Sequence, residues 1–136
     1  MGLPGAGKTT LASHLVPLLD AAWLNADKLR SDENNWDFSE NGREVQARKM
    51  FDLSNRFLKK KKIVVADFVC PTPKLRKIFN ADFIVWMDTI KKSRFQDTNK
   101  IFVEPENYNF KVDTFNAKYW SKKILTELKS LQNYKS

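Results

Sequence analysis

Eight residues near the start of the chain, Gly2-Leu3-Pro4-Gly5-Ala6-Gly7-Lys8-Thr9, have the spacing GxxxxGK[ST]. That spacing suits a phosphate cradle. Glycines at Gly5 and Gly7 let the backbone wrap closely, with its N–H groups turned toward an anion, and a helix opening near Lys8 adds its positive end. The Lys8 ammonium reaches the β and γ phosphates and the Thr9 hydroxyl ligates magnesium. The cofactors implied are ATP and Mg2+, bound by Gly2, Leu3, Pro4, Gly5, Ala6, Gly7, Lys8, Thr9 and Thr10. A second chemical cluster is Leu24-Asn25-Ala26-Asp27-Lys28-Leu29-Arg30. A carboxylate at the end of a strand in an open α/β sheet lies in the ligand crevice. There Asp27 can touch magnesium-bound water or accept a proton from a substrate hydroxyl, and Arg30 can hold an anionic group. The same aspartate capping a helix would look alike in sequence.

These groups need a frame, and the hydrophobic periodicity supplies one. Helical spacing over residues 9–19 and 44–58 alternates with apolar strand-like runs at 21–24, 63–69 and 83–87. Pro71 and Pro73 stop the middle run and open a short helix over 74–79. Residues 97–108 carry Asn99, Pro105 and Asn107 without periodicity and read as a loop, part of a lid over about 94–108. Residues 114–131 form a last helix whose stripe of Phe115, Tyr119, Trp120, Ile124, Leu128 and Leu131 packs on the sheet. The β-α alternation predicts a three-layer α/β/α fold, a parallel sheet with helices on both faces. Only Met1 stands before Gly2, so the strand that feeds such a loop is missing, and a shortened N-terminus or an internal start is expected.

Composition sets the outer bounds. A chain of 136 residues, 42% hydrophobic, builds one domain around one core. No apolar run approaches the ~20 residues of a membrane span, so no membrane partner is expected and a cytoplasmic location follows. Cys70 is the single cysteine, which excludes an internal disulfide and a cysteine zinc cage. The net charge of +8 favours an acidic partner, either a nucleic acid or a phosphorylated, sulfated or adenylated small molecule. The run Lys59 to Lys62 reads as a solvated helix end, and nucleic acid is the less favoured partner. His14 reads as a surface residue, Trp23, Trp86 and Trp120 as core, and Trp36 as a frame for whatever Phe38 touches. Asp88 is assigned no catalytic role.

The motif order carries a resemblance. Gly2 to Thr10, Leu24 to Arg30 and Phe38-Ser39-Glu40-Asn41-Gly42-Arg43-Glu44-Val45-Gln46 resemble the GLSGAGKST, LDGDNxR and GFSxxDRxENIRR segments of the adenylyl-sulfate kinases. Asp67-Phe68-Val69-Cys70-Pro71, the strand ending Met87-Asp88-Thr89, and Phe102-Val103-Glu104-Pro105-Glu106-Asn107 are similar to that family's SFISP, VDT and YEPPEN. The resemblance implies a kinase that moves the γ-phosphoryl group of ATP to the 3′-hydroxyl of adenylyl sulfate, a small-molecule substrate, in sulfate activation. It implies Asp27 and Lys8 as catalytic residues, with Thr9 and Asp27 toward magnesium. Arg30, Phe38, Arg43, Gln46, Val69, Cys70, Pro71 and, from the lid, Lys100 would bind adenylyl sulfate, and Phe38 would stack on its adenine. It also implies a homodimer. Asp67 stands where the family has a small residue and has the chemistry of a ligand to magnesium-bound water. The lid, Arg94 to Phe102, lacks the family's RDxKGLYxKA. The alternatives are a P-loop kinase for another hydroxyl, on a nucleic-acid end or a small metabolite, and a non-catalytic nucleotide- or RNA-binding protein.

Overall fold

The computed structural model of the chain describes residues 1–61 and 63–135. The elements run α1 (Lys8–Leu19), β1 (Ala22–Asn25), α2 (Ala26–Glu33), α3 (Glu40–Leu58), β2 (Val64–Asp67), α4 (Pro73–Phe79), β3 (Val85–Met87), α5 (Gln96–Ile101), β4 (Phe110–Val112) and α6 (Ala117–Lys135). No described helix is long and apolar enough to cross a membrane.

All the strands pair in parallel, as the β-α alternation predicts. They form two pieces, however, β1 with β2 and β3 with β4. Among the described residues, Met1 and Gly2 lie between them. The Met1 amino group donates to the Val85 carbonyl at 2.8 Å, Met87 N–H donates to the Met1 carbonyl at 2.8 Å, and Gly2 N–H donates to the Val69 carbonyl at 3.4 Å. Two residues bridge the pieces without making a ladder along them. Gly2 is fixed here by close approach, since a Cβ would stand 2.8 Å from the Met87 carbonyl oxygen.

Helices close the layers. α1 packs along α6, α3 packs along α4, and both α1 and α3 lie against β1 and β2. Leu11, Leu15, Met87, Val112 and Ile124 make one core, and Leu24, Ala26 and Met50 another. Ile124 and Met50 are fully buried, the kind of side chain whose loss destabilises by about 2–5 kcal/mol.

Three expectations need correction. Residues 96–101 are a helix; Ser93 and Asn99 supply by side-chain hydrogen bonds the order that periodicity did not signal, with Asn99 Nδ2 donating to the Ser93 carbonyl at 2.8 Å and Ser93 Oγ donating to Asn99 Oδ1 at 2.6 Å. The last helix begins later than expected, so Phe115 precedes it and is 67% exposed, while Tyr119 and Leu131 lie on its outer side. Trp23, at an edge of the short β1, is exposed rather than core, whereas Trp86 is buried. His14 is on the surface, and Lys61 pairs with Asp20 at 2.7 Å as a helix-end cation would. Lys62, the last of the lysine run, lies outside the described residues.

Candidate active site

The site begins at the open end of α1. Its N-cap, Gly7, has φ 93° and offers no side-chain bond, and the first turn holds no acid. The other long helices near the cleft are capped by side chains: Asn25 accepts from Lys28 N–H at 2.8 Å for α2, and Ser39 accepts from Gly42 N–H at 3.1 Å for α3. The first N–H groups of α1 are therefore left for an anion. Gly5, with φ 84°, also sits in the left-handed region that a phosphate-wrapping backbone requires. The Thr89 hydroxyl donates to the Ala6 carbonyl at 2.7 Å, tying the loop to the end of β3. Lys8 Nζ arches back to donate to the Leu3 carbonyl at 2.9 Å. Burial lowers its pKa from the ordinary lysine value, opposed by the charges of Asp67 and Asp27.

The strand register builds the next layer. Asn25 pairs with Asp67 across β1 and β2, putting both side chains at the strand ends beside Thr9. Thr9 Oγ1 donates to Asp67 Oδ2 at 3.0 Å, and Asn25 Nδ2 donates to the same oxygen at 2.7 Å. Asp67 is 6% exposed, whereas Asp27, on the first turn of α2, is open to the cleft. Asn25, not Asp27, caps α2, so the aspartate's own side chain is not used as the helix cap. The Thr9 hydroxyl, the Asp67 carboxylate and the Asp27 carboxylate, all on the wall of one cleft, are hard oxygen donors of the kind magnesium takes together with phosphate oxygens.

An aromatic and cationic wall faces this. Arg30 is buried, donates to the carbonyls of Asn35 and Asp37 at 3.2 and 3.1 Å, and stacks its guanidinium 4.3 Å from the centre of the Phe38 ring. Arg43 lies over the same ring at 5.3 Å, donating from Nε to the Phe38 carbonyl and from Nη2 to Thr98 Oγ1 of α5. Burial lowers the pKa of both guanidinium groups, and for Arg43 the charge of Arg30 adds to it. Gln46 Nε2 donates to the Ala26 carbonyl at 3.3 Å. Trp36 stands 6.4 Å from Phe38, ring centre to ring centre.

Lys8, Thr9, Asp67 and the Arg30, Phe38 and Arg43 wall line one cleft of about 1480 Å3. The structure brings Pro4, Gly5, Gly7, Lys8, Thr9, Thr10, Asp27, Arg30, Phe38, Arg43, Gln46, Val69, Cys70 and Pro71 to its wall; Gly2, Leu3 and Ala6 are buried behind the loop. Lys100 is exposed and off that wall. Lys92 and Arg94, from the segment before α5, line it instead. Sequence reasoning missed Thr89, Lys92 and Thr98. Thr89 sat inside the quoted MDT segment, and a strand-end threonine facing a glycine loop was the available signal. Asp88, left without a role, is held by Lys91 at 3.0 Å and Lys111 at 3.3 Å.

Two expected outcomes arise here. A Cβ on Gly42 would lie 2.3 Å from the Asp37 carbonyl oxygen, so the backbone beside Phe38 has to move. Helix propensity alone makes Gly42→Ala stabilising by about 1 kcal/mol. The clash outweighs it, and a net destabilisation of roughly 1–3 kcal/mol is expected by urea unfolding; an equally or more stable variant would refute the packing argument. Cys70 is 4% exposed, with burial pushing its thiol up to about 12. At pH 8 only about one molecule in 10⁴ carries the thiolate. Iodoacetamide should therefore leave Cys70 unmodified in the folded chain and label it in urea, as mass spectrometry would read directly.

A glycine loop with an uncapped helix end, a buried aspartate that holds its threonine, and an aromatic and cationic wall in the same cleft have the architecture of a P-loop kinase. The sequence matches the Adenylylsulphate kinase family over residues 1–105, and the chain belongs to that family. No curated protein matches the sequence significantly. Among solved structures it is similar to the Mycobacterium tuberculosis APS kinase CysC in complex with AMPPNP and APS, with 18% identity, 95% of this chain and 94% of that one covered, and a TM-score of 0.72. A sugar kinase from Janibacter sp. HTCC2649 has 16% identity, 95% and 91% coverage and a TM-score of 0.72. The shikimate kinase of Acinetobacter baumannii has 22% identity, 95% and 90% coverage and a TM-score of 0.60. These likenesses concern the fold.

Proposed function

We propose that the protein transfers the γ-phosphoryl group of ATP to the 3′-hydroxyl of adenylyl sulfate. The observation that supports this acceptor most directly is the Phe38 ring under two guanidinium groups, Arg30 and Arg43, in the same cleft as Lys8 and Asp27. A flat apolar face beside fixed positive charge suits an adenine carrying an anionic tail. The complex named for the Mycobacterium tuberculosis relative holds an ATP analogue and APS together, which agrees with the phosphate loop and the Phe38 wall lining one cleft.

In this reading the loop N–H groups and Lys8 hold the β and γ phosphates of ATP. Lys8 leaves the Leu3 carbonyl to do so. Thr9, Asp67 and Asp27 would hold the magnesium, directly or through its waters, and the metal would spread the charge of the transferring phosphoryl group. Asp27 orients the acceptor hydroxyl and takes its proton as the new O–P bond forms and the bond from the γ phosphorus to the ADP oxygen breaks. Lys92 and Arg94, on the lid side, neutralise the equatorial oxygens of the transferring phosphoryl group. Arg43, joined to Thr98, couples the acceptor pocket to the lid helix.

The lid's departure from the family's RDxKGLYxKA and the likeness to sugar and shikimate kinases favour one second reading, a smaller hydroxyl acceptor in the same pocket. An ADP-release assay with magnesium and ATP separates them, run with adenylyl sulfate, with shikimate and with a panel of sugars. Turnover dependent on adenylyl sulfate is the expected result. A folded, ATP-binding protein that turns over with another acceptor and ignores adenylyl sulfate would sink the assignment.

A further inference from the structure

Arg76 takes no part in the chemistry described so far, yet its side chain is half-buried on α4, outside the cleft. None of the ion pairs among the described residues includes it. A charge withdrawn from water without a carboxylate needs other acceptors. They are two backbone carbonyls from different segments: Nε donates to that of Cys70 at 3.0 Å and Nη2 to that of Val103, while the Phe102 ring centre lies 5.5 Å from the guanidinium carbon.

The local sequence explains the reach. Thr72 caps α4, accepting from Leu75 N–H at 3.3 Å, and Arg76 follows one turn in. Helical side chains lean toward the helix N-terminus, so the guanidinium turns back over the residues that precede the cap. Cys70 there has φ 46°, a left-handed backbone that a cysteine keeps only when its neighbours hold it. Its carbonyl is one of the two that Arg76 grips. From the far side, Val103 N–H donates to the Pro71 carbonyl at 2.8 Å, two residues after α5 ends. Val69, Cys70 and Pro71 line the cleft. The turn that makes this part of the wall and the segment that ends the lid are thus clamped together.

We propose that Arg76 is a positioning residue for the acceptor: its grip on two carbonyls sets the wall from Val69 to Pro71 and fixes the end of the lid to it. Acceptor binding then depends on a side chain that the acceptor never touches. The inference rests on the proposed acceptor pocket, to which Val69, Cys70 and Pro71 are assigned. The phosphate loop is tied to the body through Thr89 and not through Arg76, so loss of the grip falls on the acceptor and spares ATP. Two carbonyls in separate segments need the planar fork of a guanidinium, not charge alone.

The test compares the unsubstituted chain with Arg76→Ala and with Arg76→Lys, which keeps the charge and the stem without the fork. Amide exchange read by NMR is the first arm and needs no acceptor. In Arg76→Ala the Val103 amide is expected to exchange ~10-fold faster or more, with the core amides of Met50 and Ile124 unchanged. Guanidinium ion, well below denaturing concentration, should restore part of that protection. The second arm is kinetic. For the acceptor, kcat/KM should fall by roughly 10- to 10²-fold, while the affinity for an ATP analogue stays within about twofold. Arg76→Lys should lie near Arg76→Ala in both arms, and it decides the matter if Arg76→Ala does not fold. Full acceptor kcat/KM in Arg76→Lys, unchanged Val103 exchange, or equal losses for acceptor and nucleotide with faster exchange throughout would overturn the proposal. A chain that ignores adenylyl sulfate refutes the acceptor reading instead, and Val103 exchange with its rescue by guanidinium then decides for or against the grip of Arg76.

Discussion

Lys8→Ala is expected to lower kcat by at least ~10²-fold while the protein stays folded. The argument is the balance of two roles. In the structure the ammonium holds only the Leu3 carbonyl, a part-buried hydrogen bond worth about 1 kcal/mol, and the loop keeps its Thr89 to Ala6 tie and its seat on β3. Stability therefore changes little. On the proposed function, the same ammonium would be the side-chain charge of the loop that reaches the moving phosphoryl group, and charge stabilisation in the transition state is most of what phosphoryl transfer asks of a protein. Circular dichroism and thermal unfolding check the first half of the prediction, and ADP release the second. A variant that keeps most of its activity would place the phosphates elsewhere in the cleft.

Asp27→Asn is expected to lower kcat by roughly 10²–10⁴-fold with little change in KM for ATP. The substitution keeps the shape of a side chain that lines the cleft and is not the α2 cap, so the helix start is undisturbed. What is lost, on the proposed mechanism, is the capacity to take the acceptor's proton. Asp67→Asn should behave differently. Its carboxylate holds Thr9 and Asn25, and its loss should appear as a higher magnesium concentration for half-maximal rate. If Asp27→Asn instead raised the magnesium requirement with kcat unchanged at saturating metal, the two aspartates would have exchanged roles.

The parts legible in the sequence are those whose chemistry is local. Gly5, Gly7, Lys8 and Thr9 announce a phosphate loop because turn, charge and hydroxyl must follow one another in the chain. The helices over 9–19, 44–58 and 74–79 follow from apolar spacing, and the structure extends each at its N-terminal end by one to four residues. Hidden parts depend on distant partners. α5 is ordered by Ser93 and Asn99, a pairing with no periodic trace. β4 is three residues long and exists by pairing with β3. The stripe assigned to the last helix included Phe115, which instead lies at the phosphate loop, its Cδ1 atom 3.4 Å from where a Cβ on Gly7 would be. Burial of Asp67 beside Asn25 depends on the register of β1 against β2, which the sequence does not display.

Ser93 and Asn99 bind the segment between them into a closed knot, and Val103 N–H donates to the Pro71 carbonyl at 2.8 Å just beyond it. A segment tied in this way would carry its order with it in any movement over the cleft, with the Arg43 to Thr98 bond as its tie to the acceptor side. Closing such a segment would cost little conformational entropy, since its order is set before any nucleotide arrives.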